Sequence, residues 1–225
     1  MSRNFLTPVV LPAGTASSAP LSLQSGANLT SATAGAVEYD GKVIYSTPAA
    51  RGVLPSMMFY RLNSALAGSN VNTVQAIFGV GVTLAANTVY AFDSYFILQK
   101  TAGTLSHTIG SSIGGTATLN NLAYGVNWSR INAANTSDAM LTYYPVYAFS
   151  TVTANLALTA SITTASQTFN ARLSGTVSIN TGGTFIPQYQ LSAAPGGAYS
   201  TLAGSYFAIW PIGAAGANTS VGPWA

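Results

Sequence analysis

From about residue 70 onward the chain reads as one extended segment after another, and this succession limits its fold more than any other feature. Val71 to Leu84, Thr88 to Lys100, Ser106 to Ile113 and Thr142 to Thr153 are rich in Val, Ile, Thr, Tyr and Phe. Those residues suit a pleated, half-buried surface. Leu156 to Thr163 alternates without a break, with Leu156, Leu158, Ala160 and Ile162 on one side and Ala157, Thr159, Ser161 and Thr163 on the other. That pattern predicts a half-buried strand. Thr168 to Ile179, Thr184 to Leu191 and Ser200 to Ile212 continue the series, with Gly182-Gly183 and Pro195-Gly196-Gly197 as turns. Helix signals are nearly missing. The best candidate, Pro55 to Leu66, is read as extended. Strands of this number and spacing predict an all-β jelly-roll β-sandwich over residues 71–213.

Residues 1–50 have a different character. Pro8, Pro12, Pro20 and Pro48 divide them into short extended pieces, and Ala13 to Ser18 cannot pack alone. Asp40-Gly41 sits between Val37-Glu38-Tyr39 and Val43-Ile44-Tyr45, a strong hairpin signal. The segment is read as an N-terminal arm with a small β-hairpin, ordered by lying on a neighbour. Phe5, Leu6, Val9, Val10 and Leu11 are its candidate attachment residues. Residues 51–70 are a connector, and 214–225 a flexible tail that ends near Pro223-Trp224.

Only 5% of the residues are charged, against 48% apolar. A free monomer normally keeps itself soluble with Lys, Arg, Asp and Glu. Here the surface is either built from Ser, Thr, Asn, Gly and Ala or covered by other subunits, which suits an assembly. The net charge is +3, and the basic residues are scattered from Arg3 to Arg172. Nucleic-acid binding needs clustered cations, so that class is set aside. The chain has no cysteine, which excludes disulfides and thiolate metal sites. Met1 to Leu11, broken by prolines, reads as neither a signal peptide nor a membrane span, so synthesis in a cytoplasm is expected.

Catalysis has few groups to use. His107 is the one histidine, and no Gly-x-Ser-x-Gly elbow accompanies it for a triad with Asp93 or Asp138. It is read as lying on a strand surface or at a subunit contact. Glu38 and Asp40 share a strand face, as a glycosidase pair or a calcium ligand set would. The hairpin explains Asp40, and Lys42 or an arginine can pair with Glu38. Gly79-Val80-Gly81 and Gly110 to Gly115 lack the Lys-Ser/Thr ending of a phosphate loop and are read as bulges or close backbone approaches. The aromatics form two clusters, Tyr143, Tyr144, Tyr147 and Phe149, then Tyr199, Tyr206, Phe207 and Trp210, which are candidates for core, trimer axis or ligand contact. No catalytic residue, metal site or cofactor is expected, and the chain is read as a non-enzyme.

Two stretches carry a resemblance. Pro20-Leu21-Ser22-Leu23-Gln24-Ser25-Gly26-Ala27-Asn28-Leu29-Thr30, followed by Ala34 to Gly41, resembles a leader found in structural proteins of tailed phages. Thr88 to Asp93, Gly183 to Gln188 and Gly204 to Trp210 resemble opening and closing strands of trimeric C1q/TNF-like jelly rolls at fibre ends and on capsid surfaces. The resemblance implies a homotrimer on a virion surface whose arm holds a major capsid protein or another virion protein, or laces the trimer. With no heptads or glycine-repeat shaft, a decoration, cement or head-fibre role is expected. The alternatives are a tail-fibre or tail-tip receptor binder that contacts a host surface glycan and, after it, a glycan-degrading tail enzyme.

Overall fold

The structure, a computed structural model, describes residues 10–132 and 146–224. The strands near the N-terminus are β1 (Val37–Tyr39), β2 (Ile44–Ser46) and β3 (Gly52–Leu54), which form an antiparallel sheet in that order. The hairpin predicted at Asp40-Gly41 is present, with Tyr39 opposite Ile44 and Asp40 to Val43 in the loop. Asp40 makes that loop: one carboxylate oxygen accepts the Lys42 and Val43 N–H groups, both at 2.8 Å, and the other accepts the Tyr45 hydroxyl at 2.9 Å. The third strand, β3, comes from residues assigned to the connector. Lys42 Nζ donates to the Asn87 carbonyl at 2.7 Å, which ties this sheet to one end of the sandwich.

The sandwich contains β4 (Met58–Arg61), β5 (Leu66–Ala67), β6 (Gln75–Ala76), β7 (Val82–Leu84), β8 (Thr88–Lys100) and β9 (Ile109–Gly114). It continues with β10 (Thr118–Asn132), β11 (Val146–Ser150), β12 (Leu156–Ala157), β13 (Gln167–Thr181), β14 (Gly183–Leu191), β15 (Ser200–Thr201) and β16 (Tyr206–Ala214). Pairing is nested. β4 and β5 pair β16 and β15, β6 and β7 pair β14, β8 pairs β13, and β9 pairs β12. First with last, second with next to last: this is a long antiparallel ribbon rolled into two sheets, the jelly-roll β-sandwich the strand spacing predicts. Among the described residues there is no helix, so none is long enough to cross a membrane.

The first strand position is filled by β4 and β5, which lie in the 51–70 stretch. Within Pro55 to Leu66 the extended reading holds for Met58–Arg61 and Leu66, with a bend at Asn63-Ser64 between them. β10 and β11 are inserted between the fourth and fifth positions and widen one sheet: β10 runs along β13 from Thr118↔Thr181 to Asn132↔Gln167, and β11 lies outside β10. An eight-stranded sheet therefore faces a five-stranded one. Two predicted strands are shorter than their patterns. Val71 to Leu84 breaks into β6 and β7, and from Leu156 to Thr163 only Leu156–Ala157 joins a strand ladder, with a lone bridge from Ile162 to His107.

Between the sheets lies an aromatic centre. Phe92 packs on Phe185 at 5.5 Å and on Phe207 at 6.2 Å, and Phe207 on Phe78 at 6.1 Å. Leu98, Leu173, Val177, Ile179 and Ile209 complete it and are almost fully buried. Past β16 the chain packs beside the β1–β3 sheet, where Ser220 to Pro223 face Tyr45 and Arg51 across a cleft.

Candidate functional site

The eight-stranded sheet turns an aromatic face outward. Strand register places Tyr147, Asn127, Arg172, Tyr95, Tyr206 and Arg61 in one row across it. The next row holds Phe149, Gly125, Ser174, Asp93, Ala208 and Phe59. Side chains two apart on a strand share a face, so odd-numbered residues of β8, β11 and β4, and those of β10 from Asn121 to Ser129, point this way. Tyr147 is 65% exposed and Phe149 72%. The Tyr147 ring lies over Gly125, where a Cβ would come within 2.6 Å of its hydroxyl oxygen. At the other edge Phe59 stacks on Tyr206 at 5.5 Å, and Tyr95 lies 6.5 Å from Tyr206.

One ion pair sits in the middle of this face. Asp93 accepts from Arg172 Nε at 2.7 Å and from the Tyr206 hydroxyl at 2.9 Å. The hydrogen bond to Asp93 raises the Tyr206 phenol above its ordinary range, and the same carboxylate raises Arg172. Asp93 is therefore committed to this network and to no histidine.

The predicted aromatic candidates separate as strand alternation requires. Tyr147, Tyr206 and Trp210 lie on the outer face, with Trp210 opposite Ala91 of β8. Phe207, next to Tyr206, points inward and is a core residue. It cannot meet a subunit axis or a ligand except as the floor of a groove. Tyr143 and Tyr144 lie outside the described residues, as does Asp138. So do Phe5, Leu6 and Val9 of the arm, while Val10 and Leu11 are exposed. Phe149, of the first predicted cluster, joins the face, and so do Phe59 and Tyr95, which the sequence reading does not include. Their register relative to Tyr206 was the missing signal.

His107 corrects an expectation. It lies neither on a strand surface nor at a free contact but is 1% exposed. Its Nδ1 is 2.7 Å from the Leu105 carbonyl, an acceptor, so that nitrogen carries the proton; Nε2 then accepts from the Tyr199 hydroxyl at 2.9 Å. Lys100, also 1% exposed, donates to the Gly103 carbonyl at 2.6 Å and lies 5.9 Å from the Tyr199 ring centre. Burial holds His107 below the usual imidazole range, and the Lys100 charge adds to this against the Leu105 carbonyl. Burial lowers Lys100 as well. This cluster joins the two sheets and leaves no triad between His107 and Asp93.

Glu38 and Asp40 are also occupied. Glu38 accepts from Arg51 Nε at 2.9 Å and from the Leu29 N–H at 2.6 Å. The Leu29 N–H chiefly lowers its pKa, with help from Arg51. Burial would raise Asp40, but the Val43 and Lys42 N–H groups and the Tyr45 hydroxyl outweigh it. Among the described residues no group of three His, Asp or Glu could hold a metal ion. The glycine runs mark close approaches: a Cβ at Gly110 would meet Asn155 at 2.2 Å and one at Gly114 would meet Gln188 at 2.4 Å.

No family model matches this chain, and no curated protein is found similar to it. One solved structure is similar, titled "Structure of infectious bursal disease virus Gx strain", with 10% identity and a TM-score of 0.19. That match covers 84% of this chain and spans about half (49%) of the other, and at that score it carries no argument.

Proposed function

We propose that this chain is a non-enzymatic structural protein that assembles as a homotrimer on a virion surface, as a decoration, cement or head-fibre protein of a tailed-phage head. The observation that carries the assembly is the outer face of the eight-stranded sheet. It is aromatic and holds a central ion pair, Asp93 with Arg172, with Arg61 at its edge. Interface cores are enriched in aromatics and Arg and poor in other charges. Packing copies through this face would bury Phe59, Tyr147 and Phe149, which one copy leaves exposed. The leader-like segment from Pro20 to Gly41 supports the phage assignment.

Antibody raised to the chain and viewed on intact virions by electron microscopy tests the role. Label spread over the head is expected. Label confined to the tail contradicts a head role and favours a receptor binder. For that second reading, the Phe59–Tyr206–Tyr95 ladder offers stacked ring faces of the kind that sugars pack on. A glycan array bound through that ladder, and lost in Phe59→Ala, would favour it.

A further inference from the structure

The open side of the sandwich, where β4 and β7 edge their sheets, holds an apolar groove. Met58, Tyr60, Val80 and Val82 form its walls, Phe78 and Phe207 its floor, around some 540 Å3 of open space. β4 pairs β16 on one side, and among the described residues nothing pairs its other edge. An unpaired edge beside an apolar slot is a ready template for an added strand.

The structure assigns this groove to the N-terminal segment Phe5–Leu11 of a second copy, added as a strand along β4. Three observations select that occupant. Phe5, Leu6, Val9, Val10 and Leu11 form an apolar run, and Asn4 to Ala13 carries no charge, matching an uncharged groove. Pro8 and Pro12 are both even-numbered. On a strand their missing N–H groups fall on one edge, while Phe5, Thr7, Val9 and Leu11 keep their donors on the other. Such a segment can pair on one side only, as a strand added at the end of a sheet does. Finally, Val10 to Ala27 is exposed throughout, with Val10 88% exposed, so its own body does not cover it. Seven residues in a strand span about 23 Å, enough to cover the four-residue β4 and reach past it.

The absence of cysteine gives a clean test. Full-length chain with Val9→Cys is mixed with chain lacking residues 1–12 and carrying Val80→Cys. The expected result is a mixed disulfide forming at least roughly tenfold faster than with Val152→Cys, as a high effective concentration requires. Val152 is exposed at the end of β11, on the opposite edge of the sheet from β4. An excess of a peptide spanning residues 2–13 suppresses the link. Equal rates at both positions, or no suppression by the peptide, overturn the assignment. It rests on the self-association proposed above, and sedimentation separates the two. A trimer without the preferential link overturns the arm placement alone, whereas a monomer at every concentration overturns both.

Discussion

The two sheets of the sandwich present opposite outer faces. The eight-stranded sheet carries Arg61, Asp93 and Arg172 together with Phe59, Tyr95, Tyr147, Phe149, Tyr206 and Trp210. The five-stranded sheet has no charged residue in any of its strands. On β9 and β14 its outer side is Gly110, Ser112, Gly114, Thr184, Ile186, Gln188 and Gln190, with Asn155 and Gln188 laid across the glycine gaps. Both faces manage with few charges, but in different ways. One supplies rings and a pinned guanidinium, which gain from desolvation. The other supplies mainly glycines and amides, and the amides lose their water partners when covered. The first is suited to another copy and the second to solvent.

The largest expected effect breaks this comparison directly. Tyr147→Asp with Phe149→Asp places two carboxylates on the aromatic face and weakens self-association by at least about 100-fold, near 2.7 kcal/mol. Gln188→Asp with Gln190→Asp leaves it unchanged. Sedimentation of both pairs decides; equal loss in both removes the distinction between the faces.

Next in size is a contrast of glycines. A Cβ at Gly175 in β13 would lie 2.2 Å from the Ala123 carbonyl oxygen and 2.7 Å from Tyr124, which are fixed by the β10 ladder. Gly175→Ala is expected to cost about 2 kcal/mol. At Gly114 the obstacle is the end of the Gln188 side chain, which can swing away. There the change costs under about 1 kcal/mol. Urea denaturation of both variants checks the order.

The joint between the sheets gives a pH dependence. Because burial lowers the His107 pKa in the fold, the unfolded imidazole binds a proton that the folded one refuses. Stability is therefore full above the ordinary value of about 6.5 and falls as the pH drops below it. Thermal melts at stepwise lower pH show this loss, and it is absent from a His107→Gln variant if the assignment holds. The smallest effect is Asp93→Asn. Arg172 is largely exposed and water screens the pair, so the monomer's urea midpoint stays close to that of the unaltered chain.

Strand alternation made much of this fold legible. Thr88 to Lys100 was readable to the residue, and Thr184 to Leu191 nearly so. β10 was not, although Leu122, Tyr124, Val126 and Trp128 alternate with smaller residues. Asn120, Asn121, Gly125 and Asn127 dilute the β-rich composition, and pairing to β13 overrides that local preference. Leu156 to Thr163 fails in the reverse sense, since alternation survives where only a short ladder forms. The site was half visible. Tyr206 and Trp210 could be placed on one face and Phe207 on the other from parity alone. Which strands line up with them depends on register across distant segments, so Phe59 and Tyr95 emerged only in three dimensions. His107 was misplaced because its hydrogen-bond partner Tyr199 lies 92 residues away in sequence.

Sedimentation equilibrium on the purified chain tests the central claim most directly. A mass of three times 23.0 kDa, falling to one in the Tyr147→Asp, Phe149→Asp variant, is the predicted result. A single 23.0 kDa species over the whole concentration range, or a trimer indifferent to those two substitutions, contradicts it.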